Sequence, residues 1–147
     1  MSAADATLSV RAEILLPFPA GSPPATGRAL ALTHPISFWG GVDPSSGAII
    51  DARHPQRGEC VAGRILLLPG TIGSSSAAAV MLELVHAGHA PAAIVLHEPD
   101  AILLLGCIVA QEMGWPAPPA LKLERDRQAA FSGLMLSVST DGVISVI

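Results

Sequence analysis

An α/β fold with a parallel βαβαβ core plus additional mixed strands is predicted by three features of the sequence. RILLLPG (64–70) and PAAIVLHE (91–98) each hold a short unbroken apolar run of the kind found in strands buried on both faces. Each run leads through a loop into a segment of helical period, SAAAVMLELVHAG (76–88) and DAILLLGCIVAQEMG (100–114). The remaining segments alternate in polarity or carry turn signals, so they add strands around that core. With 147 residues, 50% of them hydrophobic, the chain is expected to form one domain, 1–147, with a sizeable core.

In chain order, Leu8–Leu15 alternates apolar and polar side chains and is predicted as a half-buried strand, followed by a loop in PFPAGSPPATG (17–27). A second strand is expected at Arg28–Thr33, after which two β-prone runs flank the turn-rich DPSSG within PISFWGGVDPSSGAIID (35–51). Arg64 begins the first strand-loop-helix unit; Pro99 and Asp100 open the second helix and Gly114 closes it. Ala120–Leu123 would be the third core strand, reached by right-handed crossovers. LMLSVSTDGVISVI (134–147) reads as a hairpin turning on the two residues Asp141 and Gly142. The sum is a β/β/α arrangement in which the other strands form a second layer or close a barrel-like sheet. Neither a repeat at solenoid spacing nor a dividing linker interrupts it.

Composition narrows the function classes. Eight Lys plus Arg against twelve Asp plus Glu give a formal charge of -4, with no basic cluster and 3% aromatics, which argues against nucleic acid as a partner. The longest apolar stretch, Ala101–Ala110, falls short of a membrane span. MSAADATLSV shows no basic segment followed by an apolar one, so no signal peptide is read and the expected compartment is the cytoplasm. Cys60 and Cys107 lack the paired spacing of zinc or iron-sulfur ligands; they read as reduced structural thiols, and no metal is expected on this chain. At 14% charged residues, part of the surface is expected to lie against a partner.

In parallel sheets, ligands gather beyond the C-terminal strand ends, where a loop meets a helix N-terminus. PGTIGSSSAAAV (69–80) occupies that place. Gly70 and Gly73 allow a sharp turn and a close approach, while the amides of Ser74, Ser75 and Ser76 open a helix and welcome an anion. One serine suffices as an N-cap. The alternative is that a hydroxyl at this tip works as acid or base on a carboxylate-bearing substrate. A serine has no useful basicity near neutrality, so it needs a cation or a favourable field to stabilise an alkoxide. No lysine or histidine adjoins it in sequence, so the activator arrives by folding or from another chain.

ISFWGGVDPSSGAIIDARHP, AGRILLLPGTIGSSSAA and PAAIVLHEPDAILLLGCIVAQEMG, in that order over about Pro35–Gly114, resemble the small subunit, or swivel domain, of the aconitase X family. The resemblance implies a swivel domain of the aconitase type that serves a hydro-lyase whose large subunit holds an iron-sulfur cluster, with the cluster iron assisting loss of the hydroxyl as a Lewis acid. The best-known activities of the family are dehydration of cis-3-hydroxy-L-proline and of mevalonate 5-phosphate. In the wider superfamily a Gly-Ser-Ser motif supplies the catalytic base, which by position is Ser74. Gly73, Ser75, Ser76, Trp39, Gly40 and Gly41 are then implied as substrate-binding residues. Aconitases proper carry an arginine after the serine pair where this chain has Ser76, which fits a small hydroxy acid better than a tricarboxylate. Mevalonate phosphate brings about two negative charges, so the acidic chain leans to hydroxyproline, with the phosphomevalonate enzyme as the alternative.

Other residues carry structural and functional readings side by side. Phe38 and Trp39 form either a strand end packed in the core or, for Trp39, a cleft wall or subunit contact. Asp43 and Pro44 shape the next turn. Arg53, His54 and Arg57 read as a solvated loop, or as charge for a substrate anion. His86 and His89 sit at a helix end, where cations are favoured, and lack a third metal ligand. Asp100 is a helix cap, with Glu98 beside it. A phosphohistidine swivelling module is set aside because Ser75-Ser76-Ala77 stands where that class has Ser-His-Ala. A non-catalytic anion-binding module on the same fold is the remaining alternative. As an enzyme subunit, the chain is expected to be inert without its partner.

Overall fold

The computed structural model describes residues 8–147. The signal-peptide reading falls largely on residues 1–7, outside the described part. In chain order the elements are β1 (Ser9–Arg11), β2 (Glu13–Leu16), β3 (Ala25–Ala31), a helical turn (Phe38–Gly41), β4 (Ile65–Leu68), α1 (Ala77–Ala87), β5 (Ala93–Leu96), α2 (Ala101–Glu112), β6 (Ala120–Lys122), α3 (Arg125–Gln128), a 3-10 turn (Ala129–Phe131), β7 (Met135–Val138) and β8 (Val143–Val146).

The strands order as β1-β8-β7-β3-β4-β5-β6-β2. β4, β5 and β6 pair in parallel, and the last half of β3 adds a fourth parallel strand through Ala29–Ala31 against Ile65–Leu67. Both crossovers run the same way across the sheet, so α1 and α2 share one face. Successive residues of β4 and β5 point to opposite sides. Leu66, Leu68, Ile94 and Leu96 pack on Met81, Leu84, Leu103 and Cys107 of the helices, while Ile65, Leu67 and Val95 join Leu121, Leu136 and Ile144 in a second core. Each such buried aliphatic side chain contributes roughly 1.5–3 kcal/mol, which is why unbroken apolar runs are tolerated only where both faces are covered. Gly106 lets the two helices meet: a Cβ there would lie 2.7 Å from the Ala78 carbonyl oxygen.

Several boundaries differ from the sequence expectations. The predicted strand Leu8–Leu15 is broken at Ala12, because its first half pairs with β8 and its second with β6. Ala12 donates its N–H to Gly142 O at 2.8 Å. As β1 and β2 are the two ends of the strand order, this one stretch joins both edges and closes the sheet as a barrel. β3 starts at Ala25, inside the expected loop, because β7 supplies partners for Ala25–Arg28. The run 35–51 forms no extended strands; it makes a helical turn and single bridges, Val42 with Ile49 and Ala48 with Cys60. Asp43 organises the intervening turn by accepting Ser45 N–H at 2.9 Å and Ser45 Oγ at 2.7 Å. These bonds, led by the Ser45 hydroxyl, hold its carboxyl below the ordinary carboxylate range. The terminal hairpin turns on Thr140–Gly142 rather than on two residues: Ser139 N–H bonds Val143 O, Gly142 N–H bonds Ser139 O, and Gly142 takes φ 94°.

Candidate active site

Parallel pairing brings the C-terminal ends of β3, β4, β5 and β6 to one edge of the sheet. Gln128, buried, ties two of them by donating Nε2–H to Leu68 O at 3.1 Å and Leu123 O at 3.0 Å. Glu98 N–H reaches Pro69 O at 3.0 Å, and a Cβ at Gly70 would touch Glu98 Cβ at 3.4 Å. The loops after β4 and β5 therefore run side by side. On the outer side of the first, Thr71 bridges Ile36 in parallel and Ile72 N–H donates to Ile36 O at 3.0 Å. On its inner side Thr71 Oγ1 donates to Asp100 Oδ2 at 2.5 Å. Asp100 also caps α2 as expected, its Oδ1 accepting Ile102 N–H at 2.9 Å and Leu103 N–H at 3.3 Å.

The three serines have different surroundings. Ser76 stands at the N-cap of α1 but makes no side-chain capping bond, and Ser75 is exposed. Half-buried Ser74 turns its Oγ back to accept Ser76 N–H at 3.2 Å, while its carbonyl accepts Ala77 N–H at 3.2 Å. The hydroxyl singled out for chemistry is thus also the one that satisfies an orphan amide at the helix start. That amide and the positive end of an 11-residue helix both face Ser74 Oγ, and both favour negative charge on it. The field of a helix start is worth at most about 2 kcal/mol, too little to make a serine basic at neutrality. No histidine, lysine or arginine among the described residues is hydrogen-bonded to it.

Trp39, Gly40 and Ser76 are brought together, with Ile50, Val80 and Glu83, around an open concavity of about 440 Å³. Phe38 and Trp39 part company there: Phe38 is buried in the core and Trp39 is 60% exposed. Gly40 takes φ 80° at this turn. Gly41 is buried instead, its carbonyl accepting Ile50 N–H at 2.9 Å, and a Cβ on it would press Ile36 at 3.0 Å. Gly73 is exposed with open space around it. A second concavity, about 570 Å³, takes Ile72 of the serine loop together with His34 and Arg53. Arg53 and Arg57 are exposed as a solvated loop should be, whereas His54 is buried, its Nε2 3.1 Å from His34 O and its Nδ1 accepting Gln56 N–H. His86 packs against Trp115 with ring centroids 4.9 Å apart and the rings tilted by 50°. Ile50, 45% exposed, joins Trp39 as the apolar rim of the first concavity beside Ser76, and Ile72, 55% exposed, lines the second. Thr71, Ile50 and Glu83 carry no sequence signal, since only the fold brings them here.

The chain's own thiols do not fit an iron-sulfur cluster, which needs thiolates gathered at one point. Cys107 is buried between the helices, where desolvation pushes its thiol up to about 12, and Cys60 Sγ–H donates to Ser46 O at 3.4 Å on a different element.

Comparison with known proteins agrees with this fold. The family model described as the aconitase X swivel domain matches residues 20–146. The chain is 50% identical over 109 residues to cis-3-hydroxy-L-proline dehydratase of Pseudomonas aeruginosa, covering 73% of this chain and 19% of that protein. It is 41% identical over 86 residues to the phosphomevalonate dehydratase small subunit of Methanopyrus kandleri, covering 58% of this chain and 64% of that one. The match therefore spans less than two thirds of the length of either relative. The crystal structure of Thermococcus kodakaraensis aconitase X in its holo form superposes with TM-score 0.75 at 26% identity, covering 95% of this chain and 98% of that chain.

Proposed function

The chain belongs to the aconitase X swivel-domain family, and from that premise we propose that it is the small subunit of a hydro-lyase that dehydrates cis-3-hydroxy-L-proline, with Ser74 as the base. The observation that carries the reading is the Ser74 hydroxyl, set at the strand-end edge and accepting an amide at the start of α1. Ser74 takes the proton next to the substrate carboxylate; the released electron pair forms the new C=C bond as the neighbouring hydroxyl departs, and the net loss is one water. Ser76, Trp39 and Gly40 line the concavity beside the serine loop, Gly41 holds the turn of Trp39 from within, and Gly73 and Ser75 flank Ser74 in the chain, so these residues are assigned to the substrate approach.

The reaction needs more than this chain presents. A helix start alone leaves Ser74 too weak a base, so the missing positive charge is assigned to a large subunit docked on the exposed apolar side chains of Trp39, Ile50 and Ile72. That subunit would also hold the iron-sulfur cluster and so supply Lewis-acid chemistry. The two free thiols suit a reducing compartment, the cytoplasm. Among the described residues no helix is long and apolar enough to cross a membrane. A second reading, the phosphomevalonate reaction, is favoured by the relatives named as small subunits of that enzyme.

Reconstituting the chain with an aconitase X large subunit and assaying both substrates tests the proposal. Turnover of cis-3-hydroxy-L-proline by the pair, with none by the chain alone, is expected. Turnover of mevalonate 5-phosphate only would select the second reading, and turnover of neither would leave an anion-binding module without catalysis.

A further inference from the structure

We infer that Thr71 is a positioning residue for Ser74, acting through its hydrogen bond to Asp100. The inference rests on the reading of Ser74 as the base. The serine loop contains two glycines, and Ile72, Gly73 and Ser75 are exposed, so local propensity does not hold Ser74 at one point. Its anchors converge one position after Gly70. Thr71 bridges Ile36 through the backbone, and the adjacent Ile72 N–H bonds Ile36 O, which joins the loop to the segment that carries Trp39. The Thr71 hydroxyl faces the other way and donates to Asp100 Oδ2.

Asp100 is itself fixed, because Oδ1 accepts two amides at the start of α2. Capping occupies that one oxygen and leaves Oδ2 aimed at Thr71. A hydroxyl donating to a carboxylate makes a strong, short bond, and the branched Thr side chain has few rotamers in which to lose it. Thr71 is therefore the junction at which the Trp39 turn, the serine loop and the start of α2 are locked together, three residues before the proposed base.

The test uses the reconstituted complex with Thr71→Val, which keeps the side-chain shape and removes the hydroxyl, and Thr71→Ser, which keeps the hydroxyl. Misplacing a reacting group by about 1 Å costs up to about 100-fold, so Thr71→Val is expected to lower kcat by about 10- to 100-fold with KM within about threefold. Hydrogen exchange of the amides over 72–76 should quicken by about tenfold as local opening becomes easier. Thr71→Ser should restore both. The inference is overturned if Thr71→Val keeps parental kcat, if kcat falls while exchange is unchanged, or if Thr71→Ser rescues neither. Should Thr71→Val not fold, Thr71→Ala is judged by the same criteria. If the parent complex turns over neither substrate, the functional reading fails on its own account. Exchange then decides the role of Thr71: faster in Thr71→Val and reversed in Thr71→Ser supports it, unchanged refutes it.

Discussion

Replacing Ser74 by alanine separates the two things its hydroxyl is placed to do. The structural loss is one hydrogen bond, Ser76 N–H to Ser74 Oγ at 3.2 Å, in a half-buried turn. Losing such a cap costs about 1 kcal/mol, or about 2–4 °C in melting temperature for a chain of this size. Against a typical stability of about 5–15 kcal/mol, more than about 99% of the variant stays folded. Unfolding therefore cannot lower turnover measurably. Removing a base from the proton transfer lowers the rate by about 10²- to 10⁴-fold, so the catalytic and capping contributions differ by orders of magnitude. The assay is kcat of the complex with cis-3-hydroxy-L-proline, alongside the melting temperature of the variant chain and its co-elution with the large subunit. A variant that assembles, melts a few degrees lower and turns over within about threefold of the parent would refute Ser74 as the base.

Two other sites test the packing. At Gly106→Ala, the gain in helix propensity of about 1 kcal/mol opposes an overpacking cost of about 1–3 kcal/mol. Because the new Cβ would meet backbone, Ala78 O at 2.7 Å and Ala78 Cα at 3.1 Å, neither atom can turn aside and the cost should win. A lower melting temperature is expected, and an unchanged or higher one would show that α1 and α2 separate without penalty. For Cys107, burial raises the thiol from 9.0 to about 12, so the native state keeps a proton that the unfolded chain releases. The stability this group contributes is full below about pH 9 and is lost as pH rises towards 12. In a thiol titration near pH 8, Cys60 should react in the native chain and Cys107 only in denaturant; fast native reaction of both would contradict the buried position.

The sequence alone determined those parts of the molecule whose signals are local. Runs such as ILLL and AIVL fit only strands covered on both faces, and the helical period after each fixes the parallel βαβ units that place the serine loop at a strand end. Asp100 as a cap was legible for the same reason, since a capping side chain bonds amides two and three residues away. Ser74 could be singled out through a resemblance carried by neighbouring residues. Tertiary structure decided whatever depends on a partner far along the chain. The break at Ala12 exists because β8 and β6 claim the two halves of one alternating run, and no pattern within that run names its partners. Phe38 and Trp39 are equally apolar, yet only the turn of the backbone sends one into the core and the other to the rim. The division of labour among the serines followed from the angle at which the loop enters α1, which gave the Ser76 amide to Ser74 and left Ser76 without a capping role. Thr71 and Asp100 stand 29 positions apart and meet only because parallel strands bring their C-terminal loops to the same edge, where a short hydroxyl can reach a carboxylate.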